Sequence, residues 1–234
     1  PSQHGVHSFL DPKFMMGPGA YNTLREFTSL GEVLRDAGYT CGLSGKWHLG
    51  ANLTPSEGFS FWVTKPDGHT REFYDQDVIE DGKVRREAGY TTELWTRKGI
   101  EFLAQNRERP FFLFLAYNGP YNLGPLMLNP ARNRHAAYYK DKVFKSFPVD
   151  AMHPWQHANK QFHNKQVAME RVAAETSGVD DGVGDIMATL KRLGLDENTL
   201  VVYAADQGWM GGQNGIWGMG DHTRPTGAHD LMMQ

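Results

Sequence analysis

Gly38-Tyr39-Thr40-Cys41-Gly42-Leu43-Ser44-Gly45-Lys46-Trp47-His48-Leu49-Gly50 is the stretch whose reading decides the fold. Ahead of it, Leu30, Val33, Leu34 and Ala37 recur at helical spacing, and Ser29 with Glu32 three residues on fits a reciprocal N-terminal cap. Gly38 stands where a helix end needs a left-handed residue. A short strand from Tyr39 to Leu43 follows and runs into a glycine-flanked Lys-x-His. Open α/β sheets bind their ligands at the carboxyl ends of strands, so Lys46 and His48 are predicted at that edge. A fixed ammonium there clamps an anion. An imidazole beside it donates a hydrogen bond or passes a proton.

The whole chain sets bounds on this reading. Its 234 residues fit one α/β domain or most of one. Hydrophobic residues make up 40% and charged residues 22%, an ordinary soluble composition. The net charge is −3 with no long basic run, so nucleic acid is not an implied partner. No apolar stretch reaches membrane-spanning length; the longest, Phe111 to Tyr117, reads as a strand buried on both faces. Cys41, the single cysteine, excludes an internal disulfide and a cysteine-based zinc cluster. The abrupt start at Pro1 reads as a fragment's end.

Other elements follow in order. Residues 11–21 are rich in Gly and Pro and read as loop. Residues 49–70 read as irregular, with Asp67-Gly68-His69-Thr70 as a turn and His69 on the surface. Glu80-Asp81-Gly82-Lys83 between apolar residues marks a peripheral hairpin near 75–90. Thr91 to Arg107 is a predicted helix opened by Thr91 or Thr92. Residues 126–165 show no sustained period, hold Pro130, Pro148 and Pro154, and read as an inserted irregular loop. Gln166 to Leu193 is a predicted long helix with Thr176, Val179, Val183, Ile186, Met187 and Leu190 on one face. Asp180 and Asp181 lie inside it and are expected to be solvated or to pack. A strand is predicted over Leu200 to Ala204, ending directly at Asp206-Gln207-Gly208.

The Gly38–Gly50 run resembles a signature of the sulfatase family, Gly-Tyr-x-(several)-Gly-Lys-Trp-His-Leu-Gly. Other segments resemble that family in its own motif order. His4-Gly5-Val6 is similar to the segment that follows the nucleophile motif, although Pro1-Ser2-Gln3 can also be aligned with that motif's tail. Pro110 to Tyr121 resembles a strand that ends in Asn-x-Pro-His, with Tyr121 at the position of the sulfate-contacting His. Ala205-Asp206-Gln207-Gly208 resembles Ser-Asp-Asn-Gly, whose Asp and next residue ligate calcium. Gly215-Ile216-Trp217-Gly218-Met219-Gly220 is similar to a run that carries a second sulfate-binding Lys, replaced here by Met219.

The resemblance implies an alkaline-phosphatase-like α/β fold: a mixed, mainly parallel sheet between helices, here an incomplete catalytic domain over 1–234. The alternation of strand and helix signals supports the α/β class independently. It implies hydrolysis of a sulfate ester, of a sulfated carbohydrate or an aryl sulfate, by a formylglycine nucleophile expected upstream of Pro1, with calcium as cofactor. Lys46 would stabilise charge, and His48 would orient the nucleophile or move a proton. Tyr121 and Arg224 would bind substrate, and Asp206 and Gln207 would hold calcium. Two other readings stay open: a phosphonate monoester or phosphodiester hydrolase of the same superfamily, and a non-catalytic binder of sulfated glycans. The resemblance implies a periplasmic or secreted location.

Overall fold

The strand Thr40–Gly45, β1, organises the sheet. It pairs in parallel on one side with β2, Phe61–Thr64, and on the other with β5, Phe111–Ala116. The computed structural model describes residues 10–121, 124–154, 156, 160–206 and 208–218. Within them, β3 (Tyr74–Glu80) and β4 (Lys83–Tyr90) form an antiparallel hairpin added to β2, giving the order β4-β3-β2-β1-β5. The sheet is mixed, as the resemblance implies, but among the described residues its two parallel pairings are matched by two antiparallel ones. Phe61–Thr64 is a strand that the reading of 49–70 as irregular missed; its run of aromatic and β-branched residues was the available signal.

Side chains alternate across β1. On one face Gly42 and Ser44 meet the helix α2, Thr91–Gln105: the Phe102 ring lies where a Cβ on Gly42 would stand, and Ser44 Oγ donates to Trp95 O at 2.9 Å. On the other face Cys41 Sγ approaches Gly31 O of α1, Leu30–Asp36, while Leu43 packs with Trp47, Trp62 and Ile79. The predicted cap of α1 forms in full: Ser29 Oγ accepts from Glu32 N, and Glu32 Oε2 accepts from Ser29 N. Thr91 or Thr92 is the expected cap of α2, but Tyr90 holds the cap position, both threonines lie inside the helix, and Thr91 donates its hydroxyl to Phe73 O at 2.8 Å.

The two sheet edges differ. β4 carries charge, with Arg85 paired to Glu80 and Glu87, which guards an edge against further strand pairing. β5 is apolar throughout, but it is not covered on both faces as expected. It is the other edge of the described sheet, and Phe114 is 44% exposed.

The chain packs as two units, the described residues of Pro1–Gly119 with Val179–Thr199, and those of Pro120–Gly178 with Leu200–Gln234. The long helix α4, Gln166–Arg192, contributes to both. Its predicted apolar face is partly shifted: Val179 and Leu190 are buried, whereas Met187 is 42% exposed and Thr176 faces solvent. Buried Arg171 and Glu175 take core positions that an apolar pattern does not reveal, and Arg171 Nη1 donates to Leu126 O and Asn129 O at 2.9 and 3.0 Å. The irregular segment 126–165 contains α3, Ala136–Tyr139, and short 3-10 turns. Phe147 stacks on the fully buried Trp217 and Phe162 meets it edge-on, and the Gln156 side chain brackets the Trp217 backbone with two hydrogen bonds.

The strand predicted over Leu200 to Ala204 is absent. Leu200 is 89% exposed and Val202 77%, and among the described residues no strand pairs with them. An extended segment without a hydrogen-bonded neighbour is not a strand, whatever its β propensity.

Asn52 holds the loop beyond β1. Its Nδ2 donates to Trp47 O and Lys65 O at 3.1 and 2.9 Å, its backbone carbonyl accepts from Trp62 Nε1 at 2.7 Å, and it is fully buried. In the full-length protein Asn52→Ala leaves two buried carbonyls without that donor. The expected loss is about 1–3 kcal/mol in denaturant unfolding; a loss under about 0.5 kcal/mol, the range of surface substitutions, would show that the loop is held by other means.

Candidate active site

Parallel strands deliver their carboxyl ends to the same edge of a sheet. β1 therefore brings Lys46 and His48, and β2 brings the turn Lys65-Pro66-Asp67-Gly68-His69-Thr70-Arg71, to one edge. Gly45 makes the β1 turn possible. Its φ is +128°, and a Cβ there would stand 2.1 Å from Ala116 O of β5. With no Cβ, Lys46 N reaches the same carbonyl at 2.8 Å. Trp47 then plugs inward, 5% exposed, edge-on to Trp62 with ring centroids 5.2 Å apart, and its Nε1 donates to Gly50 O at 3.0 Å. The two residues flanking this plug, Lys46 and His48, are held on the site side by its anchorage.

His48 meets His69 edge to face, with ring centroids 4.8 Å apart. Gly68 makes room for this contact: a Cβ on it would lie 1.9 Å from His48 Cδ2. His69 is thus half-buried against His48 rather than a surface turn residue. Burial, the Lys46 charge and His69 push the His48 pKa down to about 4, so the imidazole is neutral near pH 7. Burial also lowers His69, with Lys46, Arg71 and Lys65 adding to the effect against the opposing Asp67. Lys65 is 3% exposed, and its Nζ donates to His69 O at 3.1 Å and Gln76 Oε1 at 3.5 Å. Burial lowers its pKa too. Asn118, just past β5, accepts from Trp95 Nε1 at 2.8 Å and donates to Thr70 Oγ1 at 3.1 Å, which fixes the far end of the His69 turn. The result is a cation-rich patch with neutral imidazoles, suited to a tetrahedral oxyanion.

Sequence reasoning singled out Lys46 and His48, which the structure brings to this edge, placed His69 on the surface, and did not single out Lys65 or Arg71. The available signal was the density of charged and imidazole side chains in a turn directly after a β-forming run.

Tyr121 and Asp206 belong to the other unit. Burial raises the Tyr121 phenol pKa, and the Asp206 charge adds to that, so Tyr121 stays an O–H donor near neutral pH. Asp206 is exposed. Gln207 and Arg224 lie outside the described residues, as does Met219. Hard cations take six to eight oxygen ligands. Among the described residues no group of three or more His, Cys, Asp or Glu is placed to hold a metal ion. Asp206 alone does not make a calcium site. Cys41 is no nucleophile: it is 1% exposed in mid-strand, and burial pushes its thiol pKa up.

Two outcomes follow for the full-length protein. Gly68→Ala displaces the His48 ring and is expected to lower kcat by about 10²-fold with thermal unfolding unchanged; a rate within about twofold of wild type would remove the ring from the site. His48 titrates by NMR near 4 rather than at its ordinary 6.5. Its folded pKa lies below the unfolded one, so its contribution to stability is lost as pH falls from 6.5 towards 4. A midpoint near 6.5 would contradict the burial of this imidazole.

The sulfatase family model matches residues 8–231. The chain is 25% identical to an N-acetylglucosamine-6-O-sulfatase of Bacteroides thetaiotaomicron, over 79% of this chain and 44% of that protein. It is 32% identical to an N-acetylgalactosamine-6-sulfatase of Rattus norvegicus, over 83% of this chain and 36% of that one. A solved structure from glycosaminoglycan metabolism in Bacteroides thetaiotaomicron superposes with a TM-score of 0.67 at 22% identity, over 90% of this chain and 47% of its own, which shows a shared fold. The chain thus spans less than half the length of these relatives. A match over nearly every residue, with the Lys46 edge built as described, places this chain in the sulfatase family.

Proposed function

We propose that the protein to which this chain belongs hydrolyses a sulfuric ester of a carbohydrate or an aryl alcohol. The observation that carries this reading is the edge-to-face contact of His48 and His69 at the carboxyl edge of β1 and β2, with Lys46 acting on both rings and Lys65 and Arg71 acting on His69. Preorganised cations stabilise charge that develops on a transferring group without reorganisation at the moment of reaction. Lys46 is assigned to that role. Its backbone is held by Ala116 O on one side and by the buried Trp47 on the other. His48, neutral at working pH, donates a hydrogen bond to the ester or accepts a proton. Tyr121 donates to an ester oxygen through its phenol. The relatives named for N-acetylglucosamine and N-acetylgalactosamine sulfates support a saccharide ester.

Lys65 shapes the turn that presents His69, since its ammonium caps the His69 carbonyl. The family's formylglycine has no counterpart among the described residues, so the residues here take binding and proton roles only. Asp206 is proposed as one carboxylate of a calcium site completed by residues outside those described, with Gln207 beside it, and Arg224 as a second oxyanion contact.

The test uses the full-length enzyme. Lys46→Ala is expected to lower kcat on an aryl sulfate by roughly 10²–10³-fold, about 2.7–4 kcal/mol, with the fold intact. Lys46→Arg recovers only part, since a planar guanidinium does not replace a compact ammonium. A near-normal rate, or faster turnover of a phosphonate monoester or phosphodiester than of any sulfate, would overturn the assignment. Asp206→Ala is expected to remove most of the bound calcium by elemental analysis; unchanged calcium would place the ion elsewhere.

A further inference from the structure

One carboxylate stands among the cations at the carboxyl edge of β1 and β2. In the turn 65–71, Asp67 is the single acidic residue against Lys65 and Arg71. Together with Lys46 the cations carry +3, Asp67 lowers this to +2, and the neutral imidazoles of His48 and His69 add nothing. Asp67 is therefore the group in this turn whose charge opposes an anion.

Its place is fixed from both sides. Lys65, two residues earlier, is buried, and its Nζ donates to His69 O at 3.1 Å. Gly68, the next residue, lies so close to His48 that a Cβ would stand 1.9 Å from Cδ2, and Thr70 Oγ1 accepts from Asn118 at 3.1 Å. An aspartate in a turn ordinarily accepts from a backbone N–H two residues on. Asp67 Oδ1 does not: it is buried and accepts no hydrogen bond among the described residues. Oδ2 lies 3.7 Å from Arg71 Nε, whose side chain is 71% exposed, and a solvated pair of this kind adds little to the fold. A buried acceptor without a donor calls for a reason other than turn geometry. Its field supplies one. Burial disfavours charge on His48, Lys65 and His69, and Asp67 is the one carboxylate among the described residues that acts against this at all three. Its charge reaches across the patch and is not confined to one contact.

We propose that Asp67 is a specificity-determining residue: its carboxylate selects the anion by charge, favouring a singly charged ester over a doubly charged anion such as inorganic sulfate. The proposal rests on the sulfuric ester reading above for the identity of the anion. Coulomb energy is proportional to each of the two charges. A fixed carboxylate therefore weakens a dianion twice as much, in free energy, as a monoanion at the same place. An organic sulfate ester carries one negative charge, and the sulfate released by its hydrolysis carries two. Cations alone hold that product more tightly than the ester; Asp67 narrows the difference and lets sulfate leave.

The test measures binding of two anions to the full-length enzyme by calorimetry near pH 7: methanesulfonate, a monoanion with no ester bond to hydrolyse, and inorganic sulfate, a dianion. Asp67→Asn keeps the shape of the side chain and removes its charge. It is expected to bind methanesulfonate about threefold more tightly, the scale of a part-exposed charge pair, and sulfate about tenfold more tightly, roughly the square of that factor. Asp67→Glu keeps the charge and is expected to bind both anions within about twofold of the wild type. Asp67→Ser is expected to repeat the two unequal gains, and it covers the case in which the amide disturbs the turn. Equal gains for the two anions would overturn the proposal, because a change in turn shape does not discriminate by charge. So would the absence of any gain in both neutral variants. A wild type that binds neither anion would remove the sulfuric ester reading and the proposal with it; a wild type that binds sulfate without the unequal gains in the variants would remove the role of Asp67 alone.

Discussion

Everything at the candidate site depends on one close approach, that of β1 to β5 at Gly45. Six residues of parallel pairing bring Gly45 opposite Ala116, where the Ala116 carbonyl occupies the volume of a side chain. The same carbonyl accepts from Lys46 N. The strand thus ends at a position dictated by sterics, and the cation leaves it in a direction set by a backbone hydrogen bond. The loop beyond is fixed by Trp47, whose burial is secured in turn by Asn52 and Trp62. Flexible side chains are poor electrostatic catalysts because they reorganise as charge moves. For the electrostatic role proposed for Lys46, the stiffness is supplied by the strand pair and by an indole, and the lysine only has to extend from them.

The second constraint is desolvation. Lys65 and the two imidazoles sit where the charged form is disfavoured by burial, and the Lys46 charge adds to the effect on each of them. A site of this kind disfavours protonation, and a bound anion such as the sulfate group proposed above would offset the repulsion among its cations. Local destabilisation in favour of a ligand is a common property of functional sites.

Much of this was legible from residues alone. The capped helix, the glycine-ended strand with Lys46 and His48, the hairpin at Asp81-Gly82 and the two long helices all followed from local rules, because capping, turn chemistry and periodicity act over a few residues. Three features did not. Phe61–Thr64 was hidden in a stretch punctuated by Gly and Pro, and it became a strand only because β1 lay ready to pair. Leu200–Ala204 had the composition of a strand but no partner among the described residues, and pairing is a non-local property. His69 looked like a turn residue because nothing in its neighbours reveals a ring twenty-one positions earlier; only the parallel packing of β1 and β2 brings the two together. The roles of Gln207 and Arg224 lie outside the described residues.

Trp47 and Trp62 have a further use. Their rings are held at 67° to one another, in contact, in a buried setting attached directly to the Lys46 loop. Indoles fixed in a chiral arrangement give a strong near-ultraviolet circular dichroism signal, which is lost when specific packing loosens even though secondary structure survives. The loop that carries the cation therefore contributes to this signal beside the Trp209–Trp217 pair, whose centroids lie 5.4 Å apart. The part of the signal that a Trp62→Phe substitution removes follows the loop in solution with no substrate or turnover, separately from the helical signal of the rest of the chain.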